Sequence, residues 1–245
     1  MNFLPVQHPE YQYQPSRNPY WAKLKSLTSG AYLDEDCEKH KGRWISQFES
    51  NENLTPQLEA EPRLTVEFGC NGGHVTRGNA KLNPNDLYIG VDWKFKQIYL
   101  AYEKAKKAEL TNTLFLRARA ERVNYLFGEN EVDNIFSYFP DPWPKKAHKK
   151  HRYLDQSWFD LAFDVLKPGG MLHIKTDHDE YFDSIMNELA GSKFEILPSN
   201  VSFDLHSKCQ DPKKLEIPEV TLFEKIFIRD GIRIKSVKVL KPLLN

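Results

Sequence analysis

Short apolar runs alternate with segments of helical periodicity along most of this chain, and this alternation restricts its fold more than any other feature. The run at residues 87–92, for example, is followed by Phe95, Ile98 and Tyr102, which fall on one helical face. Strands that alternate with helices form a mostly parallel sheet, covered on both faces. Seven strands are predicted, at residues 64–69, 87–92, 113–116, 132–139, 171–176, 194–205 and 220–228. The pattern therefore predicts an α/β protein with a doubly wound, seven-stranded, mostly parallel Rossmann-like sheet.

Residues 1–62 lack this regularity and are expected to form an N-terminal arm, partly helical or flexible, before a domain at residues 63–245. The arm contains several prolines and tyrosines, but Trp21, Leu24 and Trp44 make it too apolar for a plain linker. Parts of the arm are therefore expected to dock onto the domain or onto substrate.

Composition disfavours several classes of protein. No apolar run approaches the roughly 20 residues that cross a bilayer, and the first ten residues lack the pattern of a secretory signal. Cys37, Cys70 and Cys209 share no metal-ligand spacing, which predicts reduced thiols in a cytoplasmic protein without a metal site or a membrane partner. The net charge is zero, but a local basic cluster can still bind a phosphate backbone. One such cluster contains Lys145, Lys146, Lys149, Lys150 and Arg152, with His148 and His151 between them.

The first predicted strand ends in an acidic residue followed by spaced glycines, Glu67-Phe68-Gly69-Cys70-Asn71-Gly72-Gly73. In open α/β sheets the ligand lies beyond the carboxyl ends of the strands, and glycine lets the backbone approach it closely. The segment resembles the cofactor turn of methyltransferases, with Asn71 in place of the usual middle glycine. Asparagine tolerates the left-handed backbone region better than most residues. Cofactor contacts are therefore predicted at Glu67, Gly69, Asn71 and Gly73.

Two further acidic residues follow the next two strands. Asp92 is placed to accept hydrogen bonds from both ribose hydroxyls, as an acid does in dinucleotide sites. Methyltransferases commonly hold the adenine amino group with a carboxylate after the third strand, but Ala120 stands there, so either Glu121 substitutes or backbone groups bind adenine. The structural alternatives are an exposed strand-end acid for Glu67 and a helix N-cap for Asp92. A nicotinamide dehydrogenase is disfavoured because the glycines do not match the G-x-G-x-x-G spacing.

The fourth predicted strand runs into Phe139-Pro140-Asp141-Pro142-Trp143-Pro144-Lys145-Lys146. Three prolines in five residues exclude a helix and indicate a rigid loop at the carboxyl edge of the sheet, where chemistry is often located. Asp141 is expected beside the methyl donor, and the basic residues that follow are expected to bind phosphate. The structural alternative is a stiff surface loop with a solvated run of charge.

This loop and the following His148-Lys149-Lys150-His151-Arg152 resemble the signature of the bacterial tRNA (guanine-N7)-methyltransferases. Further matches at residues 166–170, 173–177, 204–206 and 221–224 extend the resemblance to roughly residues 63–230. The resemblance implies a class I methyltransferase fold, S-adenosyl-L-methionine as cofactor, and tRNA as substrate, methylated at guanosine N7 in the variable loop. The family includes different assemblies, so a monomer or a homodimer is expected.

The resemblance also implies roles for individual residues. It implies cofactor contacts at Glu67, Asp92 and Asp141, and substrate contacts at Lys145, Asp177, Thr221 and Glu224. Asp177 has a structural alternative as the cap of a helix that starts near Asp179. Thr221-x-x-Glu224 matches a helix capping box, but the β-forming residues after it favour a strand.

Guanine N7 carries an in-plane lone pair and no proton, so methylation needs alignment and charge stabilisation but no general base. We therefore expect Asp141 and Asp177 to be catalytic by orienting the base or offsetting its developing positive charge. Two alternatives remain at this point. One is an amino-group methyltransferase acting on adenine or on a protein side chain, and the other is a non-catalytic RNA-binding module.

Overall fold

The computed structural model describes residues 18–49, 61–207 and 220–243. Its strands are β1 (Ala31–Leu33), β2 (Leu64–Phe68), β3 (Leu87–Asp92), β4 (Thr113–Arg117), β5 (Val132–Tyr138), β6 (Leu166–Thr176), β7 (Glu195–Ser202) and β8 (Lys235–Leu240). Its α-helices are α1 (Pro19–Lys25), α2 (Asp34–Cys37), α3 (Trp44–Glu49), α4 (His74–Leu82), α5 (Phe95–Lys107), α6 (Val123–Leu126), α7 (Gln156–Val165), α8 (Asp179–Ala190) and α9 (Leu222–Arg229). Short 3-10 helices cover Glu38–His40, Ala120–Arg122 and Lys146–His151.

The strands form one sheet in the order β1-β4-β3-β2-β5-β6-β8-β7. Neighbours from β1 to β6 pair in parallel, and β8 is antiparallel to both β6 and β7. The chain winds outward from β2 through β3 and β4, then returns to β5 on the other side of β2. This reversal opens a crevice at the carboxyl ends of β2 and β5, where ligands bind in such sheets. The predicted doubly wound α/β fold is confirmed, with eight strands in the described residues where seven were predicted.

The predicted strand at residues 220–228 is wrong, because this segment forms α9. The Thr221 side chain accepts a hydrogen bond from the Glu224 backbone, and the Glu224 side chain accepts one from the Thr221 backbone. These bonds provide acceptors for backbone N–H groups that have no partner within the first turn of the helix. They outweigh the β-propensity of the residues that follow. The capping box that the sequence contains is therefore real.

Strand β8 was absent from the predictions because lysines and a serine interrupt its apolar residues. Lys235 and Ser236 are nevertheless buried, and the ammonium of Lys235 donates to the backbone oxygen of Asp177. A long lysine side chain can thus occupy a buried strand when its charged end finds a partner.

Residues 18–49 pack on the sheet. Strand β1 extends the sheet beyond β4, and the indole N–H of buried Trp44 donates to the backbone oxygen of Leu126 over 2.7 Å. Buried ion pairs join Arg117 to Asp34 and Arg122 to Glu38. The division into an arm and a domain at residue 62 stays a prediction, and residues 1–17 lie outside the described ranges.

Cys37 and Cys70 are buried free thiols, whereas Cys209 lies outside the described residues. No helix within the described ranges combines the length and the apolar character that crossing a membrane requires.

Candidate active site

The predicted acidic residues gather at one edge of the sheet because their strands are parallel. Glu67 lies on β2, Asp92 ends β3, Asp141 follows β5 and Asp177 follows β6. The negative charge of Asp141 contributes to a raised pKa of Asp92, behind the larger effect of burial, so the two carboxyl groups lie within electrostatic reach. The structure thus brings together four positions that are widely separated in the sequence.

The turn after β2 has the backbone conformations that its residues suggested. Gly69, Asn71 and Gly73 all have positive φ, at 76°, 50° and 67°. A Cβ atom on Gly73 would lie 2.7 Å from Cε1 of Phe115, so packing as well as conformation requires glycine there. A Cβ on Gly69 would meet nothing within 4 Å among the described atoms. The turn therefore presents open backbone at the sheet edge, as a cofactor site needs.

Asp92 joins this turn to the loop that follows β3. One carboxylate oxygen accepts the Asn71 N–H over 3.0 Å, and the other accepts the Lys94 N–H over 2.8 Å. Lys94 occupies the N-cap position of α5, so the alternative of Asp92 as the cap is wrong. Each carboxylate oxygen has a further acceptor site, so ribose hydroxyls can still bind to it.

Glu67 is buried, so the alternative of an exposed strand-end acid is wrong. Its carboxylate accepts hydrogen bonds from the backbone N–H and the hydroxyl of Thr76, in the first turn of α4. Burial raises the pKa of Glu67 to about 7, while the bonds from Thr76 oppose that rise. In this structure Glu67 ties β2 to α4, and its contact with a cofactor stays a prediction.

Glu121 lies in the short helix after β4 and is partly exposed, 3.8 Å from the guanidinium of Arg119. The Ala120 backbone oxygen accepts the indole N–H of Trp158 over 2.8 Å. Because that bond occupies one of its acceptor sites, Ala120 is less available for a backbone contact with adenine. Glu121 stays the predicted alternative.

Trp93 is a candidate site residue that the sequence predictions omitted. It follows Asp92 directly, and it is 49% exposed. The Lys94 ammonium and the Arg119 guanidinium each lie 5.6 Å from the centroid of its ring. An exposed aromatic ring offers a flat face for stacking a purine. The position of Trp93, directly after an acidic residue at the end of a strand, could have identified it from the sequence.

The proline-rich loop leaves β5 in a strained conformation. Phe139 and Trp143 have positive φ values of 54° and 43°, which bulky residues rarely adopt. The Phe139 N–H donates to the backbone oxygen of Lys175 over 2.8 Å, so the loop starts firmly attached to β6. Asp141 is exposed on this loop, and the ring of Trp143 lies beside those of His148 and His151, with centroids 5.9 and 5.0 Å away.

The basic cluster is not uniform in the structure. Lys145 and Lys150 are exposed, and Lys149 forms an ion pair with Glu180 at the protein surface. The side chain of Arg152 is instead only 7% exposed. Exposed lysines beside the acidic residues at the carboxyl edge of the sheet are suited to bind phosphate, which is the role predicted for Lys145.

Asp177 is half-buried at the end of β6. Helix α8 is capped by His178, whose Nδ1 accepts the Tyr181 N–H over 3.2 Å. The structural alternative of Asp177 as the helix cap is therefore wrong.

Thr221 and Glu224 are both buried in the structure. Besides its capping bonds, Glu224 accepts hydrogen bonds from Lys175 Nζ and His206 Nε2, each over 3.0 Å. Burial opposes ionisation, but the bonds from His206 and Lys175 and the charge of Lys175 together hold the pKa of Glu224 below its usual range. In this structure Glu224 anchors the start of α9 to Lys175 on β6, and the contact of Thr221 and Glu224 with substrate stays a prediction. Phe223, which lies between them, is 49% exposed.

Comparison with known proteins agrees with this geometry. A family model described as "Putative methyltransferase" matches residues 61–236. The curated tRNA (guanine-N(7)-)-methyltransferase of Bdellovibrio bacteriovorus is 32% identical over 82% of this chain and 90% of its own length. That of a Geobacillus species is 31% identical over 92% of this chain and 95% of its own length.

Among solved structures, the 16S rRNA methyltransferase KamB is similar, with a TM-score of 0.55 and 15% identity. The match covers 81% of this chain and 92% of that chain, and it shows a shared fold. The family match and the identity to relatives over nearly their whole length lead to one conclusion: this chain belongs to the tRNA (guanine-N7)-methyltransferase family.

Proposed function

We propose that this protein transfers a methyl group from S-adenosyl-L-methionine to N7 of a guanosine in the variable loop of tRNA, in the cytoplasm. The observation that carries the proposal is the meeting of Asp92, Asp141 and Asp177 at one sheet edge, beside the exposed Lys145 and Lys150. Relatives that share the family and nearly the full length of this chain bear the name of this activity.

The residues at the edge fit the cofactor. The open backbone at Gly69 leaves room for the methionine group of the cofactor. The carboxylate of Asp92 can bind the ribose, and the exposed ring of Trp93 can stack on the purine. When bound, S-adenosyl-L-methionine supplies an electrophilic methyl carbon on a positively charged sulfur. We propose Glu67, Gly69, Asn71, Gly73, Asp92, Glu121 and Asp141 as its contacts.

On the acceptor side, the chain has to align guanine N7 and stabilise the positive charge that develops on the purine. Asp141 and Asp177 suit this task because a carboxylate interacts favourably with such developing positive charge. N7 carries no proton, so neither carboxylate has to act as a base. Lys145 then holds the phosphate backbone, which supplies affinity but no chemistry.

Nucleoside analysis of tRNA tests the proposal directly. Bulk tRNA that lacks 7-methylguanosine is incubated with the protein and methyl-labelled cofactor, then digested and analysed. Label in 7-methylguanosine is expected, and Asp141→Asn should abolish most of it. Label in 6-methyladenosine would establish an amino-group methyltransferase instead. Absence of S-adenosylhomocysteine binding in calorimetry would favour a non-catalytic RNA-binding module.

A further inference from the structure

Arg152 belongs to the basic cluster by sequence but is set apart from it by structure. Its side chain is only 7% exposed, whereas that of Lys149, three residues earlier, is 43% exposed. A guanidinium buried to this extent is poorly placed to contact a phosphate backbone that approaches from solvent. Its role must therefore be sought in the contacts that it makes within the protein.

Those contacts connect the proline-rich loop to α8. Arg152 Nε donates to the Pro142 backbone oxygen over 2.7 Å. Its guanidinium carbon lies 4.5 Å from the centroid of the Tyr181 ring, and Nη2 lies 3.9 Å from a Glu180 carboxylate oxygen. Tyr181 and Glu180 both belong to the first turns of α8.

The Pro142 backbone oxygen, to which Arg152 donates, lies in the part of the loop that sets the positions of Asp141 and Trp143. Pro142 stands between Asp141 and Trp143, and Trp143 has a positive φ of 43°. A bulky residue keeps such a conformation only where its surroundings impose it. The Pro142 carbonyl belongs to the peptide unit that leads into Trp143, so a donor at this carbonyl restricts the orientation of that unit.

We propose that Arg152 is a positioning residue that clamps the Asp141 loop to α8 and is not a tRNA contact. One face of the guanidinium packs on Tyr181 while Nε holds the loop, a combination that lysine cannot reproduce because its ammonium is neither planar nor forked. The clamp acts through Asp141, so its effect on catalysis rests on the proposed function, whereas its effect on the loop does not.

The test compares Arg152→Lys with Lys150→Ala, which removes an exposed lysine of the same cluster. Hydrogen exchange of a peptide covering residues 137–145 reports on the loop without any need for activity, through the amides of Phe139, Asp141, Trp143 and Lys145, since the three prolines carry none. Faster exchange is expected in Arg152→Lys and not in Lys150→Ala. Methylation should then show kcat lowered about tenfold to a hundredfold in Arg152→Lys, because small misplacements of a reacting group are costly. Arg152→Gln removes the charge as well, and it should leave the tRNA Kd and the salt dependence of binding as in the unmodified protein.

Lys150→Ala should instead weaken tRNA binding and flatten its salt dependence. If Arg152→Gln behaves in this way and the loop exchange of both Arg152 variants is unchanged, Arg152 is a phosphate contact and the proposal is overturned. Should the unmodified protein fail to methylate tRNA while Arg152→Lys still loosens the loop, the clamp stands and only the proposed function fails.

If Arg152→Lys does not fold, Tyr181→Leu and Tyr181→Phe replace it. Leucine removes the ring that supports the guanidinium and should speed exchange of the loop, while phenylalanine keeps that ring and should not. Equal exchange in the two Tyr181 variants would overturn the clamp.

Discussion

The candidate site at the carboxyl edge of the sheet has two sides, and they are held together by contacts that differ in sequence separation. The donor side, formed by Glu67, Asn71 and Asp92 at the carboxyl ends of β2 and β3, is joined by bonds between residues at most 21 positions apart. The acceptor side, formed by Asp141, Asp177 and α9, depends on the bond from Lys175 to Glu224, which are 49 positions apart. The cofactor half can thus form from neighbouring segments, whereas the substrate half requires the C-terminal part of the chain.

The largest effect is expected from Glu224→Ala. It breaks the buried ion pair between Glu224 and Lys175, and removing one member of such a pair typically costs about 3–5 kcal/mol in the free energy of unfolding. Thr221→Ala is the matched control, since it removes only a helix cap and should cost about 1 kcal/mol. Urea unfolding measures both. Equal losses would show that the buried pair does not hold the acceptor side.

Asp141→Ala should come next, acting on rate. Removing one group that stabilises transition-state charge lowers kcat by about 10²–10³-fold. Affinity for S-adenosylhomocysteine, measured by calorimetry, should change far less, because the donor side stays intact. Asp141→Asn keeps the shape but not the charge and should lose comparable activity. An unchanged rate in both variants would remove Asp141 from the mechanism.

Glu67 offers a test of the donor side through pH. Its carboxyl group has a pKa of about 7 in the folded protein against an ordinary value of 4.5, so between these values the folded state binds more protons than the unfolded state. Stability should therefore fall as pH rises through this window, on the order of 3 kcal/mol in total. In Glu67→Gln this part of the pH dependence should vanish in urea titrations, whereas the exposed control Glu103→Gln should keep it. If the pH dependence of stability in Glu67→Gln matched that of the unmodified protein, Glu67 would not be the group with the raised pKa.

The smallest effect is expected from Lys145→Ala, at the rim of the acceptor side. Loss of one phosphate contact should reduce the slope of log K against log salt by about one. Binding of tRNA at several salt concentrations measures this slope. The control Lys107→Ala, an exposed lysine on α5, should leave it unchanged. A slope that is equally reduced in both variants would indicate diffuse attraction without a local contact.

Much of the donor side could be predicted from the sequence because its determinants are local. The glycines and Asn71 with positive φ form the turn, and β2 and β3 are fully buried, mostly apolar strands that carry Glu67 next to the end of β2 and Asp92 at the end of β3. The proline-rich loop after β5 could also be predicted in part, since its three prolines fix backbone angles whatever the surrounding structure.

The acceptor side also shows what local reading misses. Residues 222–229 have β-forming side chains, but Glu224 is buried against Lys175 and His206 and completes the cap of a helix. Strand β8 contains lysines that become acceptable only through partners such as the Asp177 backbone oxygen. For β8 a burial partner distant in sequence decides the outcome, whereas for α9 the local capping bonds set the helix and the distant partners bury its first turn.

The sequence by itself determined the alternation that makes the sheet doubly wound, the glycine turn, and the acidic residues that follow its strands. These features depend on backbone angles and apolar periodicity, which are properties of short segments. The tertiary structure alone decided that the Arg152 side chain is withdrawn from solvent among basic neighbours that stay exposed, and that Glu224 is buried against Lys175 and His206. Which charged side chain enters the interior depends on which partners the fold places beside it, because burying a charge is costly without them.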